Sequence, residues 1–134
     1  MLIRMRNRLV DEITFKLASE TNDLATASAI LGPFWRHDAP ELANESTIIQ
    51  NPVDDGEVTY MHGVVRCLKT NEPVANVTVD VWQASTNGLY EQQDKDQADC
   101  NLRGKFTTDA NGRYAFYCLR PTPYPVPNDG KNLL

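Results

Sequence analysis

The sequence predicts a mainly β protein, an antiparallel β-sandwich preceded by a short N-terminal helical segment. Three observations lead to this fold class. Apolar residues near the start recur at helical spacing, those after about residue 47 alternate with a period of two, and turn residues separate the short strand-like runs. The 134 residues, 41% hydrophobic and 23% charged, have the size and composition of one ordinary domain. Disorder, collagen-like fibre and coiled coil are excluded on the same grounds.

The N-terminal part has the apolar pattern of a helix. Its first apolar residues lie four apart, as one helical face requires: Leu9, Ile13 and Leu17. A second apolar group, 25–31, ends at Gly32-Pro33, a dipeptide that stops helices and forms turns. We therefore expect residues 1–31 to be helical, and we divide the chain into an N-terminal helical segment with a linker, 1–38, and a sandwich domain, 39–134.

The first strands are predicted from alternation. One runs over 58–68, and the turn Asn71-Glu72-Pro73 follows it. The next lies at 77–82, where valines alternate with other residues, so the two sets are expected on opposite faces of the strand. The valines are Val77, Val79 and Val81, and the residues between and after them are Thr78, Asp80 and Trp82.

Two later runs, 106–108 and 114–119, are predicted to pair with each other. Between them lies Asp109-Ala110-Asn111-Gly112, and an Asn-Gly pair tolerates the positive φ angles that a tight hairpin requires. The connection 85–102 is long and polar, which is typical of functional or mobile loops. The proline-rich tail 121–130 fits neither a helix nor a central strand.

Composition and charge exclude several kinds of partner. The net charge is −5 and the pI about 4.9, so no broad basic face is expected for nucleic acid or for an anionic membrane. No apolar run reaches the roughly 18 residues of a membrane span. No secretory signal is recognised at the start, and the three cysteines fit no disulfide or zinc pattern. We expect a cytoplasmic protein with reduced thiols.

Two tyrosines are the best candidates for a functional site. Tyr90 and Tyr124 lie in turn-rich segments beside glycine or proline, whereas the other tyrosines lie in predicted strands, where packing is their default role. A deprotonated tyrosine is a hard anionic oxygen donor that suits Fe(III), and such a cation can ionise a phenol of pKa about 10 near neutral pH. From spacing alone, simple packing of both rings stays open.

Other metal-binding candidates are weaker. The two histidines, His37 and His62, are isolated in the sequence, and an isolated histidine is more often a surface or packed residue than a ligand. Asp94, Asp96 and Asp99 lie close together, but the spacing of an EF-hand and its closing glutamate are missing. We expect these carboxylates to belong to a solvated loop.

Six segments, in this order, resemble the intradiol ring-cleavage dioxygenases, the catechol and hydroxyquinol 1,2-dioxygenases, and look closest to fungal members. They are LGPFW (31–35), VDVWQA (79–84), NGLY (87–90), LRGKFTTD (102–109), NGRY (111–114) with Phe116, and RPTPYPVPNDG (120–130). Each segment alone is a weak signal, but six in order over roughly residues 9–130 are specific. The fold that the resemblance implies is an incomplete intradiol dioxygenase-like sandwich.

The resemblance also implies a chemistry. Family members hold one non-haem Fe(III) through two tyrosines and two histidines, and they cleave an aromatic diol with O2 between its two hydroxylated carbons. By motif match, Tyr90 is the tyrosine ligand that stays bound and Tyr124 is the one that the diol displaces, so both are expected to be metal ligands and catalytic. The residues that fall in substrate-pocket segments are Leu31, Gly32, Pro33 and Val126.

The sequence departs from the family pattern at both ends. The family's histidine ligands lie beyond the second tyrosine, in a segment that these residues do not include, and His37 and His62 belong to other motifs. The longer N-terminal helical region that forms the homodimer interface of intact members is represented only by a remnant at 1–38. We therefore expect a truncated member whose isolated chain has little or no ring-cleaving activity. Oxygen uptake with catechol and iron would contradict that expectation.

A second reading comes from non-catalytic proteins. The pattern of 71–79 followed by 108–114 also resembles the β-sandwich binding modules of carboxypeptidase-regulatory or transthyretin-like type. Such a module has no need of Tyr90 after Asn87-Gly88 or of the segment 124–127, and these features separate the two readings. A third possibility, an inactive partner of a full-length paralogue, has no direct support in the sequence.

Overall fold

Two antiparallel sheets form the framework of residues 1–6, 30–51 and 56–123, the part of the chain that the computed structural model describes. The elements are β1 (Leu2–Arg6), β2 (Val58–Val64), β3 (Thr78–Trp82), a 3-10 turn (Glu91–Gln93), β4 (Arg103–Thr107) and β5 (Arg113–Leu119). One sheet has the order β1-β3-β4, and the other pairs β2 with β5. The predicted mainly β, antiparallel architecture is confirmed. Within these ranges, no helix is long and apolar enough to cross a membrane.

The core lies between the two sheets. The three-stranded sheet contributes Val79, Val81 and Phe106, the two-stranded sheet contributes Phe116, Cys118 and Leu119, and the connections contribute Ile48 and Leu102. The rings of Phe106 and Phe116 stack across the interface, with their centroids 5.0 Å apart. Burial of apolar residues from both sheets is what holds the sandwich together.

The three-stranded sheet is covered on both faces. Val79 and Val81 point into the core, whereas Trp82 belongs to a second buried cluster with Ala84 and Tyr90. The predicted division of β3 into two faces is thus confirmed, because successive side chains of a strand alternate. The second face of this sheet is where the candidate site lies.

Residues 2–6 are a correction to the predicted N-terminal helix. They form β1, which pairs antiparallel with β3 from Leu2 opposite Trp82 to Arg6 opposite Thr78. Pairing along this edge of β3 satisfies backbone donors and acceptors that would otherwise need other partners. The helical spacing that motivated the prediction begins only at Leu9, and residues 7–29 lie outside the described part of the chain.

The predicted pairing of the last two strands is also wrong. β4 pairs with β3, and β5 pairs with β2, so the turn 109–112 connects the two sheets instead of closing a hairpin. The turn itself forms as expected, since the Gly112 amide donates to the Asp109 carbonyl at 2.9 Å and Gly112 has φ +70°. The reason for the different pairing is that Phe106 and Phe116 pack face to face across the core, which requires them to lie in opposite sheets.

The substitution Gly112→Ala is expected to lower the stability more than Gly32→Ala does. Both glycines have positive φ, +70° and +78°, which costs another residue about 1–2 kcal/mol. A Cβ at Gly112 would also lie 2.6 Å from the Val65 carbonyl oxygen and 3.0 Å from Pro73 Cβ, whereas nothing lies within 4 Å at Gly32. Urea unfolding of the two variants measures the difference, and equal losses would contradict the close packing at this turn.

Candidate functional site

Tyr90 is buried at the start of the 3-10 turn, with 1% of its surface exposed. The preceding residues form a tight loop in which the Ser85 amide donates to the Leu89 carbonyl at 2.9 Å and Gly88 has φ +79°. The Gln93 side chain accepts a hydrogen bond from the Tyr90 amide at 3.1 Å. The Asn-Gly turn and this cap therefore fix the backbone that presents the phenol.

The ring of Tyr90 packs in an aromatic cluster. Phe34 stacks on it with a centroid distance of 4.2 Å and an interplanar angle of 13°. Trp82, the last residue of β3, and Ala84, two residues later, form the rest of the buried cluster, and Leu31 and Trp35 pack against it. The cluster brings segment 31–35 and the loop 85–102 together, although they are far apart in the sequence.

The structure brings some of the predicted site residues together and does not describe others. Leu31 packs against the cluster of Tyr90, while the next two residues, Gly32 and Pro33, are exposed. Tyr124 and Val126 lie outside the described residues. The assignments of Tyr90 and Tyr124 as metal ligands, and of all four pocket residues, therefore stay predictions.

Segment 31–38 is anchored to the sheet and to the loop by polar contacts as well. The indole Nε1 of Trp35 donates to the Asp80 carboxylate at 2.9 Å, on the same face of β3 as Trp82. Arg36 forms ion pairs with Asp38 at 2.7 Å and Asp99 at 2.5 Å. Its guanidinium lowers the pKa of Asp38 to about 2, so this pair stays ionised in all but strongly acidic solution.

A buried ion pair lies next to Tyr90. Arg103 Nε donates to Glu91 Oε1 at 2.5 Å, and the two side chains are 1% and 2% exposed. Arg36 Nη1 reaches the same Oε1 atom at 3.2 Å. Glu91 Oε2 and Arg103 Nη2 have no hydrogen-bond partner among the residues that the structure describes. The site thus combines an apolar aromatic wall with a charged group in its interior.

Sequence reasoning missed Glu91, Arg103 and Arg36. Charged residues are rarely fully buried unless they are paired, so the sequence pattern alone does not single these residues out. The available signal was the register of the sheet: Arg103 lies opposite Trp82 and so shares the face that carries the aromatic cluster. That signal depends on the pairing of β3 with β4, which the sequence did not predict.

Residues 119 and 122, shortly before Tyr124 in the sequence, form hydrogen bonds with residues 83 and 85, shortly before Tyr90. Gln83 Nε2 donates to the Leu119 carbonyl at 2.9 Å, and the Thr122 hydroxyl donates to the Ser85 carbonyl at 3.2 Å. Ser85 is itself bonded through its amide to the residue before Tyr90. Residue 122 therefore lies against the same short loop that positions Tyr90.

The donor chemistry of the described residues fits ferric iron in part. The Tyr90 phenol is a hard oxygen donor in a buried setting, as Fe(III) prefers. The histidines lie elsewhere, with His62 stacked on Tyr60 on β2 and His37 beside Trp35. Among the described residues, no group of three or more histidines, cysteines or acidic residues could hold a metal ion. The described part of the chain therefore supplies one predicted ligand of a larger set.

The acidic residues of the loop make contacts of their own. Asp94 accepts hydrogen bonds from the side chains of Asn87 at 2.8 Å and Gln97 at 3.2 Å, and the Asn87 bond is the main reason that the pKa of Asp94 is lowered. Asp99 pairs with Arg36. These carboxylates organise the loop that carries Tyr90.

Comparison with known proteins identifies the relatives of this chain. A sequence profile of a family described as dioxygenase (Dioxygenase_C) matches residues 30–133. The intradiol ring-cleavage dioxygenase prcA of Aspergillus niger is 47% identical over 122 residues, which are 91% of this chain and 39% of that protein. Catechol 1,2-dioxygenase of Candida albicans is 41% identical over 123 residues, again 91% of this chain and 39% of the relative. The chain thus spans about 39% of the length of these curated relatives.

Solved structures of hydroxyquinol and catechol 1,2-dioxygenases share the fold of this chain. Hydroxyquinol 1,2-dioxygenase from Pseudomonas putida superposes with a TM-score of 0.73 at 30% identity, over 90% of this chain and 41% of that one. Catechol 1,2-dioxygenase from Acinetobacter, inhibited by bound mercury, superposes with a TM-score of 0.74 at 27% identity, over 91% and 40%. The profile match, the relatives and the shared fold together show that this chain belongs to the intradiol ring-cleavage dioxygenase family.

Proposed function

We propose that these residues form part of the active site of an intradiol dioxygenase that acts on an aromatic 1,2-diol and O2. Tyr90 and Tyr124 are phenolate ligands of one non-haem ferric ion in this proposal. The diol pocket is lined by Leu31, Gly32, Pro33 and Val126. When bound, the ferric ion supplies a Lewis-acidic, redox-active centre that makes a chelated diol reactive toward O2.

The burial of the Tyr90 phenol against the predicted pocket segment is the observation that carries the proposal. Its ring stacks on Phe34, and Leu31 packs against the same cluster. A low-dielectric, aromatic wall excludes water from the phenol and offers an apolar surface to an aromatic ring. A metal ligand and a substrate wall are expected to be adjacent in this way.

The anchoring of the chain before Tyr124 supports a two-tyrosine site. Thr122 is bonded to the carbonyl of Ser85, at the base of the Tyr90 loop. Prolines at 121 and 123 fix the backbone φ on both sides of Thr122, which stiffens the approach to Tyr124. Tyr124 follows Thr122 by two residues in the sequence, which supports the proposal that it serves the same iron site as Tyr90.

The class of substrate rests on the names of the relatives. Those that match this chain include catechol and hydroxyquinol 1,2-dioxygenases, and both diols present two adjacent phenolic oxygens. We propose this shared chelating pair as the recognised group. The three free cysteines fit a reducing compartment, which supports a cytoplasmic location, and a homodimer of the intact protein is proposed from the resemblance alone.

Anaerobic binding of catechol tests the proposed function. The chain is loaded with Fe(III), freed of excess metal by gel filtration and titrated with catechol without O2. We expect a catecholate-to-iron absorption band that co-elutes with the protein, and no such protein-bound band for Tyr90→Phe. A band that elutes only with small molecules would show that this chain does not present iron to a diol.

A further inference from the structure

One carboxylate oxygen of Glu91, the residue after Tyr90, accepts hydrogen bonds from two arginine side chains. Glu91 Oε1 accepts hydrogen bonds from Arg103 Nε at 2.5 Å and from Arg36 Nη1 at 3.2 Å. The Glu91 and Arg103 side chains are 2% and 1% exposed. Removing such charges from water is costly, and a buried pair is weak evidence for stability. The contacts of Glu91 with the two arginines are therefore better explained by the parts of the chain that they hold together.

The three charged residues are linked to Tyr90 by the chain or by the sheet register. Glu91 directly follows Tyr90 in the chain. Arg103 lies opposite Trp82 in the sheet register, and the Trp82 ring is in the cluster of Tyr90. Arg36 comes two residues after Phe34, whose ring stacks on the phenol. The carboxylate thus connects the loop, the sheet and segment 31–38 around a single side chain.

We propose that Glu91 is a positioning residue for Tyr90: its carboxylate fixes the orientation of the Tyr90 ring by holding Arg103 of the sheet and Arg36 of segment 31–38 against the loop. The iron-binding consequence rests on the proposed function, because it requires Tyr90 to be a ligand. Loss of a group that orients a metal ligand weakens metal affinity by about 10–100-fold. Glu91→Gln is expected to weaken ferric binding within that range.

The variants separate positioning from general stabilisation. Glu91→Gln keeps the size of the side chain and removes its charge. Glu57→Gln is the matched control, because Glu57 forms an ion pair with Arg120 at 2.9 Å in which the side chains are 66% and 73% exposed. Arg36→Gln is a second test variant, because it leaves the buried contact between Glu91 and Arg103 in place.

The first readout needs no metal. The full chain is prepared with 3-fluorotyrosine, and the fluorine resonance of Tyr90 is assigned by its loss in Tyr90→Phe. In the native chain, the stacked Phe34 ring should shift this resonance away from those of the exposed tyrosines. We expect the resonance to move toward the exposed position or to broaden in Glu91→Gln and Arg36→Gln, and to stay unchanged in Glu57→Gln.

The fluorine spectra and the ferric affinity together distinguish failure of this proposal from failure of the proposed function. If the native chain binds no ferric iron, the proposed function fails, while the fluorine spectra still test the positioning of Tyr90. If Glu91→Gln does not fold by far-UV circular dichroism, Arg36→Gln decides the question. An unchanged Tyr90 resonance in the folded variants would overturn the proposal, since Glu91 would then be only a structural ion pair.

Discussion

The Tyr90→Phe chain is expected to bind ferric iron at least about 100-fold more weakly than the native chain, because loss of a ligand exceeds the loss of a group that merely orients one. The substitution removes only the phenolic oxygen. The stacking on Phe34 and the packing with Trp82 are kept, so the fold should change little. Competition against a ferric chelator of known affinity measures the difference.

The control for this prediction is Tyr60→Phe. Tyr60 is 44% exposed on β2, where its ring contacts Tyr117 and His62. It carries the same phenol in a different place, so its loss should leave ferric affinity unchanged. Equal weakening by both substitutions would show that iron binds nonspecifically to tyrosines, and no weakening by Tyr90→Phe would remove Tyr90 from the proposed ligand set.

The substitution Phe106→Ala is expected to reduce the free energy of unfolding by about 3–5 kcal/mol. Phe106 is fully buried on β4 and stacks on Phe116 of the opposite sheet. Its removal would leave a cavity in the core cluster between the two described sheets, in a fold whose total stability is typically only about 5–15 kcal/mol. Urea unfolding followed by circular dichroism measures the change.

An exposed apolar residue gives the comparison for Phe106→Ala. Val64 at the end of β2 is 42% exposed, so Val64→Ala should change the stability by no more than about 0.5 kcal/mol. A loss at Phe106 as small as that at Val64 would mean that the two sheets are not held together by the core described above.

Strands β2 to β5 were predictable from the sequence, but β1 and the pairing of β4 with β3 and of β5 with β2 were not. The alternation at Val79, Asp80 and Val81 specifies which side chains share a face of β3, because a strand has a period of two wherever it pairs. Nothing local distinguishes a hairpin between β4 and β5 from the observed connection between sheets. That choice depends on Phe106 meeting Phe116 across the core, which is a contact between distant elements.

The candidate site was also predictable only in part. Tyr90 was recognised from its motif, and its turn from the Asn87-Gly88 pair, since both are properties of contiguous residues. The ion pair between Glu91 and Arg103 was missed, because a charged side chain is expected at the surface until the sheet register places it beside Trp82. Sequence patterns thus predicted the residues that are proposed to carry the chemistry, and the fold added the buried ion pair beside Tyr90.

The visible absorption spectrum of the ferric-loaded chain, compared with that of the double variant Tyr90→Phe/Tyr124→Phe, tests the central claim most directly. Iron bound by tyrosinate gives a charge-transfer band that neither the protein nor the ion has alone. We predict this band for the native chain and its loss in the double variant. A native chain without the band, or a band that persists in the double variant, would contradict a two-tyrosine iron site in this protein.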